Sequence, residues 1–311
     1  MRCLVTGAAG FAGQYLVRHL ADSGDSVVAM ARGELPASWP AGVSVIDADL
    51  RAQAEVEAAV REVRPEAIFH LGALTHVPSC ESDRAEALRV NVLGTLHLIE
   101  AASAIVREAR VLFVSSGQAY RPSPEPIEES APLAPESFYG LTKKHAEEVA
   151  SLLAARGARV LIARPFNHSG PGQRADFALP SFARQIAEAE AGLREPVVRV
   201  GNLSAIRDFL HVRDVVRAYR CLVAEGRDGG IYNVCSGVGR PIGAALEQLA
   251  ARSRVAVRID VDASRLRAQD THAVVGASSR IQQETSWRPQ IPFERLLDDL
   301  LHDARLSLRS G

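Results

Sequence analysis

Tyr139 and Lys143 stand four residues apart in SFYGLTK, so a helix here projects both side chains from one face. A free phenol titrates near roughly pH 10, and a neighbouring ammonium favours its ionised form. Such a pair can move a proton near neutrality. Ser116 follows the apolar run 111–114, and its hydroxyl can hold the oxygen that gains or loses that proton. Tyrosine and lysine meet at this spacing by chance in many chains. What distinguishes this pair is chain order: a hydroxyl-bearing strand end precedes it, and a glycine string precedes both.

That string is RCLVTGAAGFAG, residues 2–13. Cys3, Leu4 and Val5 form a buried-looking strand, and Gly7, Gly10 and Gly13 lead into the helical pattern of Tyr15, Leu16, Val17 and Leu20. Phe11 and Ala12 lie at the helix start. Small residues let a phosphate approach, and the N–H groups and positive end of the new helix face it. The spacing is G-x-x-G-x-x-G, where the Rossmann fingerprint is G-x-G-x-x-G. A plain turn could carry three glycines, but a strand before them and a second strand, Ser26–Ala31, after the helix point to a dinucleotide pyrophosphate site.

The elements that follow must position these groups. The second strand ends in Ala31-Arg32 without the carboxylate that an NAD-preferring site sets against ribose hydroxyls, so NADP(H) is favoured and NAD(H) is the alternative. Arg32 is either a 2′-phosphate ligand or a solvated arginine. A third strand, 43–46, leads to Asp49 and Leu50 near the adenine. A helix over 52–63 stops at Pro65, and a buried strand, 67–71, exits through Leu71, Gly72 and Ala73 beside the cofactor. Thr75 and His76 open the next loop; His76 faces the sugar or packs within the loop. The spacing then predicts one helix over 84–106, with Asn91 inside it either for packing or as a polar relay.

At 311 residues the chain can bury a large core as one domain or two. Lys+Arg 36 against Asp+Glu 37 gives a net charge of -1 without charge runs, so neither nucleic acid nor a membrane surface is an expected partner. Four cysteines lack C-x-x-C spacing and suit reduced thiols. No apolar run reaches membrane-spanning length and a strand begins right after Met1, which suits a cytoplasmic protein. No metal site is expected.

With Gly7, Gly10, Gly13, Ser116, Tyr139 and Lys143 at its motif positions, the sequence resembles the extended short-chain dehydrogenase/reductase family over essentially its whole length. ARPFNHSGPGQ (163–173), VGNLSAIRDFLHVRDV (200–215) and YNVCSG (232–237) resemble the branch that reduces GDP-linked 4-keto-6-deoxyhexoses. The resemblance implies an α/β fold: a Rossmann-like doubly wound parallel sheet with a smaller C-terminal substrate-binding domain. Residues 1–165, with 205–235 returning, would form the dinucleotide unit, and 166–311 mainly the substrate unit. It further implies Ser116, Tyr139 and Lys143 as catalytic, with Tyr139 and Lys143 also touching the cofactor. Thr75, Ser116, Gly117, Gln118, Asn167, Arg207, Arg267 and Asp270 would bind a nucleoside-diphosphate sugar, GDP-linked first. The two arginines suit a diphosphate because each offers forked donors; read without the resemblance, each is a solvated or paired surface arginine.

A homodimer is expected. The sequence departs from the family pattern at Phe138, where proline often precedes the tyrosine, at Arg121 in place of glycine, and at Gly72 in place of alanine. The implied activity is NAD(P)H-dependent reduction of a 4-keto-6-deoxyhexose; a 4-epimerase and a non-catalytic dinucleotide sensor are the alternatives. Dehydratases of this family place acids directly after the catalytic hydroxyl residue, where this chain has Gly117 and Gln118. Glu125, Glu128 or Glu129 in the nearby loop would have to substitute.

Overall fold

The structure is a computed structural model that describes residues 1–32, 39–262 and 273–309. In chain order its first part runs β1 (Arg2–Thr6), α1 (Phe11–Asp22), β2 (Ser26–Ala31), β3 (Ser44–Asp47), α2 (Gln53–Val63), β4 (Ala67–His70), α3 (Val77–Ser82), α4 (Arg84–Leu88), α5 (Gly94–Ile105), β5 (Arg110–Val114), α6 (Phe138–Ala155) and β6 (Val160–Pro165). The later part runs β7 (Asn167–Ser169), α7 (Ala178–Glu190), β8 (Val197–Val200), β9 (Ile206–His211), α8 (Val212–Glu225), β10 (Ile231–Val234), β11 (Gly239–Pro241), α9 (Ile242–Ala250), β12 (Arg258–Val261), β13 (Ala273–Val274), α10 (Ser279–Glu284) and α11 (Phe293–Ser307).

A seven-stranded sheet in the order β10-β6-β5-β4-β1-β2-β3 is parallel throughout. Its inner strands are apolar runs buried on both faces, as a parallel sheet covered by helices requires. One core joins the sheet to α1 and α8, and a second joins it to α2, α5 and α6. The order reverses between β1 and β4, and at such a switch point the strand ends part to leave a crevice. A third core gathers α7, β8, α9 and α11 beside it. There β9 is flanked by β11, β13 and β7, and β12 pairs with β8.

The single helix expected over 84–106 is broken by a π turn at Arg89–Leu93 between α4 and α5. The wider turn accommodates an inserted residue, and Asn91 is the one that is buried. Its amide donates to the Leu74 carbonyl (3.0 Å) and the Thr142 hydroxyl (2.8 Å), and its oxygen accepts from the Leu74 N–H (2.7 Å). Asn91 is thus a clamp between the loop after β4 and α6.

Two buried carboxylates tie distant segments together. Asp208 accepts from the N–H groups of Ser236 (2.8 Å), Gly237 (2.9 Å) and Gly276 (3.3 Å) and from the Ser236 hydroxyl (2.6 Å). Asp214 accepts from the N–H groups of Gln290 (2.9 Å) and Ile291 (2.8 Å). A carboxylate taken out of water needs such donors, and these come from segments outside the named strands.

Candidate active site

A cleft of about 910 Å³ opens at the switch point, between the carboxyl ends of β1, β4, β5 and β6 and the segments around α7 and β8. The glycine string forms one wall. Gly7 has φ +66°, and a Cβ there would stand 2.7 Å from the Gly72 nitrogen and 2.8 Å from the Leu71 carbonyl carbon. The β1 turn and the β4 exit therefore pack back to back, which only glycine permits. Gly10 begins α1 with its N–H on the Gly7 carbonyl (3.0 Å); no side chain caps the helix and no acid sits in its first turn. Its positive end stays open to an anion. Gly7, Gly10, Phe11, Ala12, Gly13, Leu71 and Ala73 all line the cleft, so the residues present fit a dinucleotide pyrophosphate.

The proton-transfer group forms the floor. Ser116 accepts from the Gln118 N–H (3.1 Å) and starts a single 3₁₀ turn, Gly117–Ala119. Ser137 caps α6 by accepting from the Gly140 N–H (3.0 Å). A Cβ at Gly140 would lie 2.7 Å from Pro135 Cβ and closer still to the Gln118 carbonyl, so α6 presses directly on that turn. This brings Tyr139 to Ser116, whose hydroxyl is within hydrogen-bonding reach of the phenol. Lys143 is buried one turn on and does not itself line the cleft, its ammonium 4.7 Å from the centre of the Phe113 ring.

Burial reverses the expected electrostatics in the protein alone. It pushes Tyr139 up to about 12, against a smaller pull from Ser116, and Lys143 down to about 7, against Glu147. The phenol is therefore neutral and ready to donate. His70 is also neutral, pushed to about 3 by burial. Thr6 accepts from the Gly72 N–H (3.0 Å) and bonds His70 Nδ1 (2.7 Å), while His70 Nε2 bonds Thr95 (3.0 Å), which donates to the Asn91 carbonyl (2.7 Å). That order fixes the hydrogen of His70 on Nε2.

Thr75, Gly117, Gln118, Asn167 and Arg207, expected from the sequence on the substrate side, line the same cleft. Arg267 and Asp270 lie outside the described residues. The residues expected on the adenine side are not among those that line the cleft, and they form a group of their own. Arg32 pairs with Asp49 (2.8 Å), which Arg51 also grips at 2.9 and 3.0 Å, and the Leu50 carbonyl bonds His97 (2.9 Å). At Gly72, in place of alanine, the seat is tight: a Cβ there would stand 2.5 Å from Leu50 Cδ1, which would have to turn away, and 3.0 Å from the Thr6 hydroxyl. His76 takes up Ser79 (2.8 Å) at the start of α3 and does not line the cleft.

Sequence reading missed other lining groups: Phe166, His168, Gln173, Arg199 and Asn202. The first four of these positions differ in how visible they were. Phe166, His168 and Gln173 fall inside ARPFNHSGPGQ and could have been taken from it, whereas Arg199 is the one polar residue of the short apolar strand β8 and carries no local signal. Among the described residues no helix is long and apolar enough to cross a membrane, and no histidine, cysteine and carboxylate cluster could hold a metal.

Residues 3–235 match the family described as the NAD dependent epimerase/dehydratase family. The chain is 36% identical over 306 residues, 97% of its length and 96% of the relative's, to GDP-6-deoxy-D-mannose reductase of Pseudomonas aeruginosa. It superposes with TM-score 0.86 and 33% identity on the structure of RMD from Pseudomonas aeruginosa complexed with NADPH, covering 99% of this chain and 100% of that one. The Thermus thermophilus UDP-glucose 4-epimerase complex with NAD gives TM-score 0.86 at 28% identity, covering 98% and 99%. The glycine cradle, the cleft-lining Ser116 and Tyr139 with Lys143 buried one turn beyond, and these likenesses agree: this chain belongs to the NAD dependent epimerase/dehydratase family, as an NAD(P)-dependent oxidoreductase of the extended short-chain dehydrogenase/reductase type.

Proposed function

We propose that the protein reduces the 4-keto group of a GDP-linked 4-keto-6-deoxyhexose with NADPH as the favoured cofactor and NADH as the alternative. The observation that carries this reading is the buried Tyr139 phenol beside Ser116 at the cleft, where burial favours the neutral form and the two positions after Ser116 are Gly117 and Gln118 rather than acids. The bound dinucleotide supplies the hydride for the keto carbon. Ser116 holds the keto oxygen, and Tyr139 delivers its proton to that oxygen as negative charge develops there. Lys143 sits behind the phenol, where its ammonium favours the phenolate left by that transfer and anchors ribose hydroxyls. Asn167 and Arg207 bind the substrate diphosphate, with residues 166–311 forming mainly the substrate side of the cleft.

The elimination that would make such a keto sugar from a hexose is unsupported here. A side chain at Gly117 would start 3.2 Å from the Phe166 ring, so an acid cannot be accommodated there without moving that ring, and Gln118 cannot exchange a proton usefully. Glu129 is buried and accepts from the Asn233 N–H (2.9 Å), while Glu125 and Glu128 are exposed and do not line the cleft. Incubation with GDP-mannose and oxidised cofactor is expected to give no keto sugar, and the supplied GDP-4-keto-6-deoxy sugar should consume one NADPH per molecule. Isomerisation of a nucleotide sugar with no net cofactor change would replace the reductase by an epimerase. The reading also includes a homodimer, for which the exposed leucines Leu88 on α4, Leu93 in the π turn and Leu152 on α6 are candidate contacts. Light scattering should then report twice the 33.4 kDa chain mass.

A further inference from the structure

Resting on the roles just given to Ser116 and Lys143, we infer that Glu147 and Arg164 are positioning residues: their buried ion pair fixes both groups relative to one another and sets a carboxylate on the Lys143 side of α6. Neither residue lines the cleft, so neither acts by touching a ligand there. Glu147 lies one helical turn beyond Lys143 on α6 and is equally buried, at 3% exposure. Its carboxylate accepts from the hydroxyl of Ser115 (2.8 Å), the residue that precedes Ser116 at the end of β5. It also accepts from Arg164 Nε (3.0 and 3.1 Å) and from the neighbouring guanidinium nitrogen of that arginine on β6.

The pair is itself held from three sides. Arg164 donates to the Tyr120 hydroxyl (2.6 Å) and the Glu129 carbonyl (2.9 Å), with its guanidinium 4.6 Å over the Tyr120 ring. Tyr120 donates to Asn233 (2.7 Å) on β10, and the Asn233 amide donates to the Ile127 carbonyl (2.8 Å). Every member has a partner, so the network has one arrangement. A buried ion pair is weak support for stability, since apolar groups of the same shape serve as well. Its rigidity is better accounted for by what it holds.

Among the described residues, Glu147 on α6, Cys80 on α3, His70 on β4 and the Phe113 ring on β5 act on Lys143, with Tyr139 one turn before it on the same helix. Burial keeps the tyrosine, cysteine and histidine neutral, by raising the first two and lowering the third. Glu147 is then the anion that opposes the loss of the Lys143 proton. If the ammonium is needed for turnover, removing the carboxylate must move the alkaline fall in activity to lower pH.

The test is the pH dependence of kcat for keto-sugar reduction at saturating NADPH, with Tm recorded alongside, for Glu147→Gln, the double variant Glu147→Gln/Arg164→Gln, and Tyr139→Phe. Glu147→Gln should move the alkaline midpoint down by about half a pH unit or more. The double variant removes the unpaired arginine charge, so Tm should recover toward wild type while the midpoint stays low. An unmoved midpoint in either folded variant, or a midpoint that recovers together with Tm, would overturn the proposal and leave a merely structural pair. Wild-type turnover in Tyr139→Phe would instead remove the reading of the trio on which it rests.

Discussion

Tyr139→Phe is expected to lower kcat for keto-sugar reduction by about 10²–10⁴-fold, the usual contribution of a positioned general acid. The ring stays and the exchangeable proton goes. The phenylalanine fills the same buried space beside Cys80 and Ala87, so folding should be little changed. Cofactor binding should also be near normal, because the glycine cradle lies on β1 and α1 rather than on α6. With the wild-type phenol at about 12, its own ionisation falls above the working range, and the alkaline loss of activity reports Lys143, which burial sets near 7. The sign follows: lysine is charged below that pH and loses its proton above it. Stopped-flow and steady-state assays of NADPH oxidation measure both quantities, and a variant as fast as wild type would remove Tyr139 from the mechanism.

Arg32→Ala is expected to cut the NADPH/NADH preference by roughly ten- to a hundredfold, because hydrogen bonds to charged groups are worth roughly 1.5–3 kcal/mol. In the structure Arg32 rests on Asp49, an arrangement the sequence did not predict. That pairing does not disable it. The Arg32 side chain is more than half exposed, and Arg51 independently neutralises Asp49, so Arg32 can leave for a 2′-phosphate without stranding a carboxylate. Ala31→Asp should shift the ratio in the same direction by a different route. Ala31 stands opposite Asp47 in the β2–β3 register, so the change adds a carboxylate at a strand end that already carries one and repels the phosphate. Specificity constants for both cofactors decide it; a ratio that neither substitution moves would show that the 2′ position is read elsewhere.

What could be read in the sequence was what short-range chemistry determines. The glycine string needs its spacing only over residues 7–13, and the structure turns it into a cradle closed by Gly72. The Tyr139 and Lys143 pair needs one helix, and the strands of the large sheet need only apolar runs. The features that escaped depend on partners far along the chain. Asp208 and Asp214 look like surface acids in RDFLHVRD, yet their donors lie at 236, 237, 276, 290 and 291. The π turn escaped for a different reason: a helical pattern read at 3.6 residues per turn does not show where one extra residue enters it, and only the contacts of Asn91 with Leu74 and Thr142 reveal the place. Gly117 was read by what it lacks, while the ring of Phe166 packed beneath it, which makes that lack hard to reverse, is visible only in three dimensions.

The placement of β10 bears on how the chain is made. All six residues of β6 are buried, and the strand that covers its outer edge is completed only at Val234, after α7, β8, β9 and α8 have been laid down. Between the emergence of Pro165 and that of Val234 a ribosome works for on the order of ten seconds. Throughout that interval a nascent sheet bears an apolar strand whose free backbone groups can accept a foreign one. The order of synthesis thus makes the strand that closes the sheet wait for much of the wall of the cleft, and a chain arrested at residue 165 would leave the ribosome as an adhesive fragment rather than as a small nucleotide-binding protein.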